Sequence, residues 1–334
     1  MDETLFVCLV LSLTEGINRK DRLTLLETVA AEADLNRLDK RLIEEKTGRF
    51  LRKTPDIDKA KAEAEKVAKI AAGKGIKMAA FLAGDYPPLL RESTEPPVLL
   101  YYRGFLSDPE KPLVAMVGTR HPSSNGQAWA YRCGRELGEA GLGVVSGLAL
   151  GIDAMSHRGN VDGGGKTLAV LGSALDEVYP ATNRSLAKRI LDGGGALVSE
   201  YKPGTRPARW TFPERNRIIA GIARGCVVVE APKDSGALIT ARFTAENNRD
   251  LWIGSVGAAQ HTDRRLEKFG EGTRNLAGQG AKVISGASDI LDEWGIERAM
   301  RLEEDGAFSG GGRVASNLAE QLRQELGLEQ IRGC

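Results

Sequence analysis

At 334 residues, with 42% apolar and 27% charged side chains, the chain has the composition of a globular protein of about two domains, at roughly 100–200 residues each. A formal net charge of +1 excludes a polycation, so any nucleic-acid surface must be local, and aromatics at 5% argue against base stacking as the main binding force. Cys8, Cys133, Cys226 and Cys334 are scattered, as are His121, His157 and His261; this excludes a disulfide framework and a metal-ligand spacing, and predicts a reduced, cytoplasmic protein without a metal.

The first 100 residues read as helical. The run Leu5–Leu11 is apolar but far shorter than the ~20 residues that span a bilayer. Asp2 and Glu3 precede it, the wrong sign for a secretory signal, so no membrane association is expected. Leu23, Leu26 and Val29 share one helical face, and 58–72 is rich in Ala, Lys and Glu with Val67 and Ile70 on one side. Asp85-Tyr86-Pro87-Pro88 and Glu95-Pro96-Pro97 then mark a linker or a short packed connection. The segment fits equally an independent small helical domain and a helical cap on the next domain.

Residues 101–295 change pattern. Short apolar strands are predicted at 113–117, 143–146, 167–171, 196–200, 226–230, 251–255 and 282–284, with helices at about 124–140, 151–161, 183–191, 214–223, 236–247 and 286–294. Near-continuous apolar strands alternating with helices imply βαβ units, hence an α/β fold: an extended Rossmann-like parallel sheet with helices on both faces. Ligands of such sheets gather beyond the carboxyl ends of the strands, where the glycine-rich segments fall. Residues 296–334 read as a flexible and helical tail, with a spacer at Ser309-Gly310-Gly311-Gly312 and one helix over 314–326, too short for a core of its own.

Four segments at strand ends share one design: Val117-Gly118-Thr119-Arg120, Ser146 and Gly147 through Gly151 to Asp153, Asn216 among the arginines of 213–221, and Ser235-Gly236 opening a helix. Small residues at such turns let backbone N–H groups face an anion, and a helix N-terminus adds positive partial charge. Several on one sheet edge favour a phosphate-rich ligand. The stretch from Lys202 to Arg224 sets six cations against Glu214 alone, with Trp210 and Phe212 among them. This suits a surface that tracks phosphates while a base stacks on a ring. Both rings fit a core position as well.

Other motifs fail. Gly165-Lys166-Thr167 resembles the end of a P-loop, but Asn160 stands where its first glycine is needed and the segment precedes a strand. Ser146, Asp153 and His157 lack a nucleophile elbow, and the last two sit one turn apart on one helix; Asp153 fits a role in orienting the glycine loop. No G-x-G-x-x-G with a following ribose acid points to a dinucleotide. No catalytic residue and no cofactor are therefore expected.

Val-Gly-Thr-Arg (117–120), Ser-Gly-Leu-Ala-Leu-Gly-Ile-Asp (146–153), Phe-Pro-Glu-Arg-Asn-Arg-Ile-Ile-Ala-Gly (212–221) and Ser-Gly-Ala-Leu-Ile-Thr-Ala-Arg (235–242) together resemble the DNA-processing protein A family, also called Smf. Val170-Leu171-Gly172, Tyr179-Pro180 and Ser199-Glu200-Tyr201 match its intervening pattern, from about Tyr86 to Asp289. The resemblance implies sequence-independent binding of single-stranded DNA, its transfer to the RecA recombinase in natural transformation, homodimers through the Rossmann-like domains, and no established catalysis. The family's pocket corresponds to Gly118, Thr119, Arg120, Ser146, Gly147, Phe212, Arg215, Asn216 and Arg217. Three departures stand out: Ala181 replaces the lysine that often follows Tyr-Pro, with Arg184 one turn on; Val256-Gly257 replaces Pro-Gly; and Gly272–Ala277 departs from the usual pattern, so the loop 258–275 is expected to differ in shape. Many members end in a winged-helix-like domain, and the tail is expected not to form a complete one. The alternative is a nucleotide-binding or nucleoside-monophosphate-hydrolysing enzyme, whose Pro-Gly-Gly-x-Gly-Thr loop is replaced here by Glu230-Ala231-Pro232-Lys233-Asp234-Ser235-Gly236.

Overall fold

Strands apolar on both faces can be buried only between two layers of helices, and the chain supplies these in alternation. The computed structural model describes residues 1–29, 31–106, 111–260 and 267–296. The predicted spacer at 309–312 and helix at 314–326 lie outside them. Five helices come first: α1 (Glu3–Leu13), α2 (Arg19–Leu26), α3 (Glu32–Leu35), α4 (Lys40–Thr47) and α5 (Ile57–Gly73). Next come β1 (Lys77–Ala80), α6 (Pro88–Arg91), β2 (Leu99–Gly104), β3 (Leu113–Val117), α7 (Ser124–Glu139), β4 (Gly143–Ser146) and α8 (Ile152–Asp162). The second half holds β5 (Leu168–Val170), α9 (Arg184–Asp192), β6 (Ala196–Ser199), α10 (Thr211–Ile222), β7 (Gly225–Val228) and α11 (Ala237–Glu246). It closes with β8 (Asp250–Gly254), α12 (Ser255–Ala258), α13 (Glu271–Gly278), β9 (Lys282–Ile284) and α14 (Ala287–Trp294).

The nine strands run in the order β1-β2-β6-β5-β4-β3-β7-β8-β9. From β3 to β9 all pairings are parallel, with Val114 opposite Val144 on one side and Met116 opposite Val227 on the other. The chain winds outward from β3 to β6, then returns past β3 to build β7–β9, a Rossmann-like arrangement whose switch point lies between β3 and β7.

The Rossmann-like parallel sheet expected from the sequence is extended at one edge by two antiparallel strands, so the whole sheet is mixed. β2 pairs antiparallel with β6, Tyr102 facing Val198, and β1 pairs antiparallel with β2, Ala79 facing Leu100. β1 lies within the segment read as helical and β2 straddles its end, so the sheet begins at Lys77. The sequence Lys-Met-Ala-Ala has no strand preference of its own; its neighbour's unpaired edge makes it one. The proline-rich segment between them is a packed connection: Tyr86 is buried and its hydroxyl donates to Pro97 O at 2.6 Å.

Residues alternate between two cores. Leu113, Ala115 and Val117 of β3 face α10, α11 and α6, while Val114 and Met116 face α7, α8 and α14. Over β5 and β6 the latter layer continues as α9 and the five N-terminal helices, which share one apolar cluster with Ala169, Leu171 and Leu197. The N-terminal helices are thus a cap on the sheet. α1 is buried from Phe6 to Leu11, as a helix apolar all round must be. In α5 the buried stripe is Ala60, Ala64, Val67 and Ala71, with Asp56 accepting from the Lys59 N–H at 2.9 Å as its cap. The expected partnership of Val67 with Ile70 fails, Ile70 being 46% exposed. Among the described residues no helix is long and apolar enough to cross a membrane.

Candidate functional site

β3 ends at Val117 against the start of the segment after β7, and the divergence of the chain there opens a cleft of about 810 Å³. Its walls are the turn Gly118–His121, the first turns of α10, and the segment 232–237 that opens α11. The turn after β3 is fixed by backbone bonds: the Thr119 N–H donates to Glu230 O at 2.7 Å, and the Ile152 N–H to Thr119 O at 3.2 Å. Gly118 is obligatory, since a Cβ would lie 2.5 Å from Ile152 Cγ1 and 2.9 Å from Glu230 O. Arg120 is thereby thrust into solvent, its guanidinium 5.6 Å from the centre of the Phe212 ring. Phe212 is half-buried, with Tyr179 tilted against it at 5.6 Å.

Beneath them sits Arg215, a buried cation. Its Nη1 donates to Val170 O, its Nε has no partner, and among the described residues it makes no ion pair. Burial lowers its pKa to about 10, so it remains charged at neutral pH; Asp153 works against that shift and Arg120 with it. The guanidinium lies across Gly147, where a Cβ would stand 2.0 Å from Nη1. Asp153 accepts from the Gly147 N–H at 3.1 Å and the Ala149 N–H at 3.4 Å, bracing the loop from below. Burial raises the Asp153 pKa, while Arg215 and the two N–H donors favour the ionised form. Leu148 between them takes a left-handed φ of 56°, unusual for a bulky residue, and Asn183 Nδ2 secures the loop by donating to Leu148 O at 2.9 Å.

Nine of the thirteen residues expected at the site line this one cleft: Gly118, Thr119, Arg120, Asp153, Phe212, Arg215, Asn216, Ser235 and Gly236. Ser146, Gly147 and Gly151 stand behind it as framework. Ser146 Oγ donates to Met116 O at 2.6 Å, and Gly151, at φ +77°, leaves room for Thr119 O, which a Cβ would approach to 2.4 Å. Arg217 is a correction. It is 3% exposed on the far side of α10 and pairs with Glu200, so it is no free phosphate ligand; two residues along a helix turn a side chain by about 200°. The segment around Asn216 is helix, and Asn216 Nδ2 donates to Gly236 O at 3.1 Å, joining two walls.

Sequence reasoning missed Arg209, Lys233, Lys268, Tyr179 and Thr240, all in the lining. Thr240 is buried with its Oγ1 lacking a partner. Arg209 lay within the basic stretch from Lys202 to Arg224; nothing in the sequence marked Lys233 or Lys268. Arg184, offered as a substitute for the lysine replaced by Ala181, is exposed but outside the lining. Of the departing loop 258–275, residues 261–266 lie outside the described ones; Thr273 Oγ1 donates to Gly257 O at 2.7 Å and closes the rest.

Two side chains that the alternative readings would use are held by hydrogen bonds within the fold. The Glu230 carboxylate, 1% exposed, accepts from Ser123 N–H at 2.8 Å and Ser123 Oγ–H at 2.5 Å, tying down the start of α7. His157 is fully buried, its Nδ1 2.7 Å from Thr167 Oγ1, which itself donates to Val144 O. The imidazole thus serves the core.

A family model described as "DNA recombination-mediator protein A" matches residues 77–295, which contain every strand of the sheet and the whole cleft. The chain belongs to that family. The DNA processing protein DprA of Streptococcus pneumoniae is 41% identical over 212 residues, 63% of this chain and 71% of that one. Protein Smf of Synechocystis is 42% identical over 215 residues, but the chain spans only 52% of its length. Among solved structures, DprA from S. pneumoniae superposes with a TM-score of 0.71 at 32% identity, covering 88% of this chain and 99% of that one. DprA from Helicobacter pylori, studied for its single-stranded DNA binding mode, gives 0.57 at 25% identity over 66% of this chain and 95% of that one. The recombination-mediator family therefore accounts for the sheet and the motifs around its switch point.

Proposed function

We propose that the chain binds single-stranded DNA without sequence preference in the switch-point cleft. It shields the strand and passes it to the RecA recombinase in the cytoplasm during transformation or recombination, as a homodimer and without a catalytic step of its own. The carrying observation is the exposed Arg120 guanidinium over the half-buried Phe212 ring, above a buried Arg215 that makes no ion pair among the described residues and whose Nε lacks a partner. A phosphate would give Arg215 a direct ionic partner in addition to the longer-range influence of Asp153, with backbone of Gly118, Thr119, Ser235 and Gly236 and the side chain of Asn216 around it. Phe212 and Tyr179 offer ring faces that accept any base, which suits binding indifferent to sequence. The family's description as a recombination mediator and the Helicobacter relative's strand binding support the same reading.

The test is fluorescence-anisotropy titration of a labelled oligothymidylate at several salt concentrations, with duplex as competitor. Each phosphate contact contributes about −0.7 to the slope of log affinity against log salt on single strands. Arg120→Ala is expected to bind much more weakly with a shallower slope, and Phe212→Ala to lose roughly 1–3 kcal/mol. Binding indifferent to Arg120 would show that the cleft serves another ligand. RecA transfer is read separately, as stimulated strand exchange by RecA, and the dimer by light scattering.

A further inference from the structure

A second cavity, of about 710 Å³, opens in the N-terminal cap between the end of α1, the segment joining α4 to α5, and Lys202. Its cations divide into two kinds. Arg49 pairs with Asp21, Lys59 with Glu15 at 3.1 Å, and Lys202 with Glu63 at 2.6 Å. Arg52 and Lys53 are exposed and make no ion pair among the described residues. Beside them Phe50 is 77% exposed, with Lys40 Nζ 4.7 Å from its ring centre. An exposed ring beside two unpaired cations is the combination that single-stranded nucleic acid meets with stacking and phosphate contacts.

The two cavities are joined by one basic segment. Lys202 lines the cap cavity and Arg209 lines the switch-point cleft. The eight residues between and including them span at most about 25 Å even if fully extended. Along the way Arg206 and Trp210 are exposed, Trp210 at 59% and standing edge-on to Tyr201 at 6.1 Å. The segment is pinned, the Gly204 N–H donating to Asp176 at 3.1 Å and the Ala174 N–H to Thr205 O at 3.1 Å. We infer that a strand held in the switch-point cleft continues along residues 202–210, across Trp210, into a second nucleotide subsite formed by Phe50, Arg52 and Lys53. This rests on the strand-binding reading of the first cleft.

The test compares oligothymidylates of about 6 and about 20 nucleotides, within and beyond the usual span of one small binding site, on the full chain. Phe50→Ala and the double variant Arg52→Ala/Lys53→Ala change only exposed side chains, and unaltered melting curves check their folds. The double variant is expected to bind the short strand as the parent does and to lose about 1.4 from the salt slope on the long one. Phe50→Ala is expected to weaken the long strand alone, by roughly 5- to 150-fold. Arg120→Ala should weaken both lengths. Variants that bind the long strand as tightly as the parent overturn the subsite and leave the cavity to a partner other than DNA. Equal losses on both lengths overturn it too. Failure of the parent to bind either strand overturns the first reading and this one together, whereas long-strand binding insensitive to Arg120 overturns the continuous path.

Discussion

Arg215 occupies space that exists only because residue 147 has no side chain. The guanidinium is anchored on Val170 O and cannot retreat, so a Cβ 2.0 Å from Nη1 must displace it or the loop. Gly147→Ala is expected to destabilise the fold by about 1–3 kcal/mol, as overpacking does, and to weaken any ligand that Arg215 holds. Gly236→Ala, where nothing lies within 4 Å of the added carbon, is the matched control and should melt near the parent. His157 makes a second prediction. Burial foremost, with the Arg215 charge, lowers its pKa from 6.5 to about 3. Below pH 6.5 the unfolded chain therefore takes up a proton that the folded chain refuses until about pH 3, and stability falls as pH falls through that window. Asp153, whose folded pKa is raised, contributes with the opposite sign. The difference between parent and His157→Gln isolates the imidazole: the variant's melting temperature should fall less steeply between about pH 6.5 and 4, and parallel curves would refute the assignment.

At the scale of elements, α10 does two jobs with opposite faces. One presents Phe212, Arg215 and Asn216 to the cleft; the other buries Arg217 against Glu200, to which Arg19 of the cap also reaches at 3.4 Å while pairing with Glu214. This ion cluster locks the helix that carries the cleft onto both the sheet and the N-terminal cap. Removing its shared carboxylate leaves a 3%-exposed guanidinium, whose Nε and Nη1 already lack partners, without a counter-charge. Glu200→Gln should cost about 3–5 kcal/mol, read as a lowered denaturation midpoint. A midpoint near the parent's would mean that water reaches the cluster.

Over the whole molecule, cap and sheet behave as one body because they share a core. Phe6, Leu9, Ala64 and Val67 belong to the same apolar cluster as Leu171, Leu186, Ile190 and Leu197, and residues 1–297 form one compact unit. One cooperative unfolding transition is expected for this unit by calorimetry. A chain starting at residue 76 would bare the outer face of β5, β6 and α9, a patch of the kind that drives aggregation. It should be insoluble or bind an environment-sensitive dye such as ANS; a soluble, cooperatively melting fragment would show instead that the cap is dispensable to the fold.

Patterns that act over a few residues were legible in the sequence. Seven strands, the helices between them up to β8 and the three glycine turns come from apolar runs, helix spacing and the space that only glycine leaves, all local properties, whereas the short α12 and α13 between β8 and β9 were not foreseen. Nine of thirteen site residues came together because strand ends of a doubly wound sheet converge at its switch point. What the sequence could not fix is whatever depends on a neighbour distant in the chain. β2 is a strand because β6 offers it an edge and β1 because β2 does in turn, and Ile70 is exposed because the face of α5 that is buried is the alanine stripe with Val67. Arg217 looks like its neighbours in the basic run, yet a turn of helix sends it to Glu200 and into the core. Residue type and period set the local form of this chain, and only tertiary packing decided which cations keep their charge for a ligand.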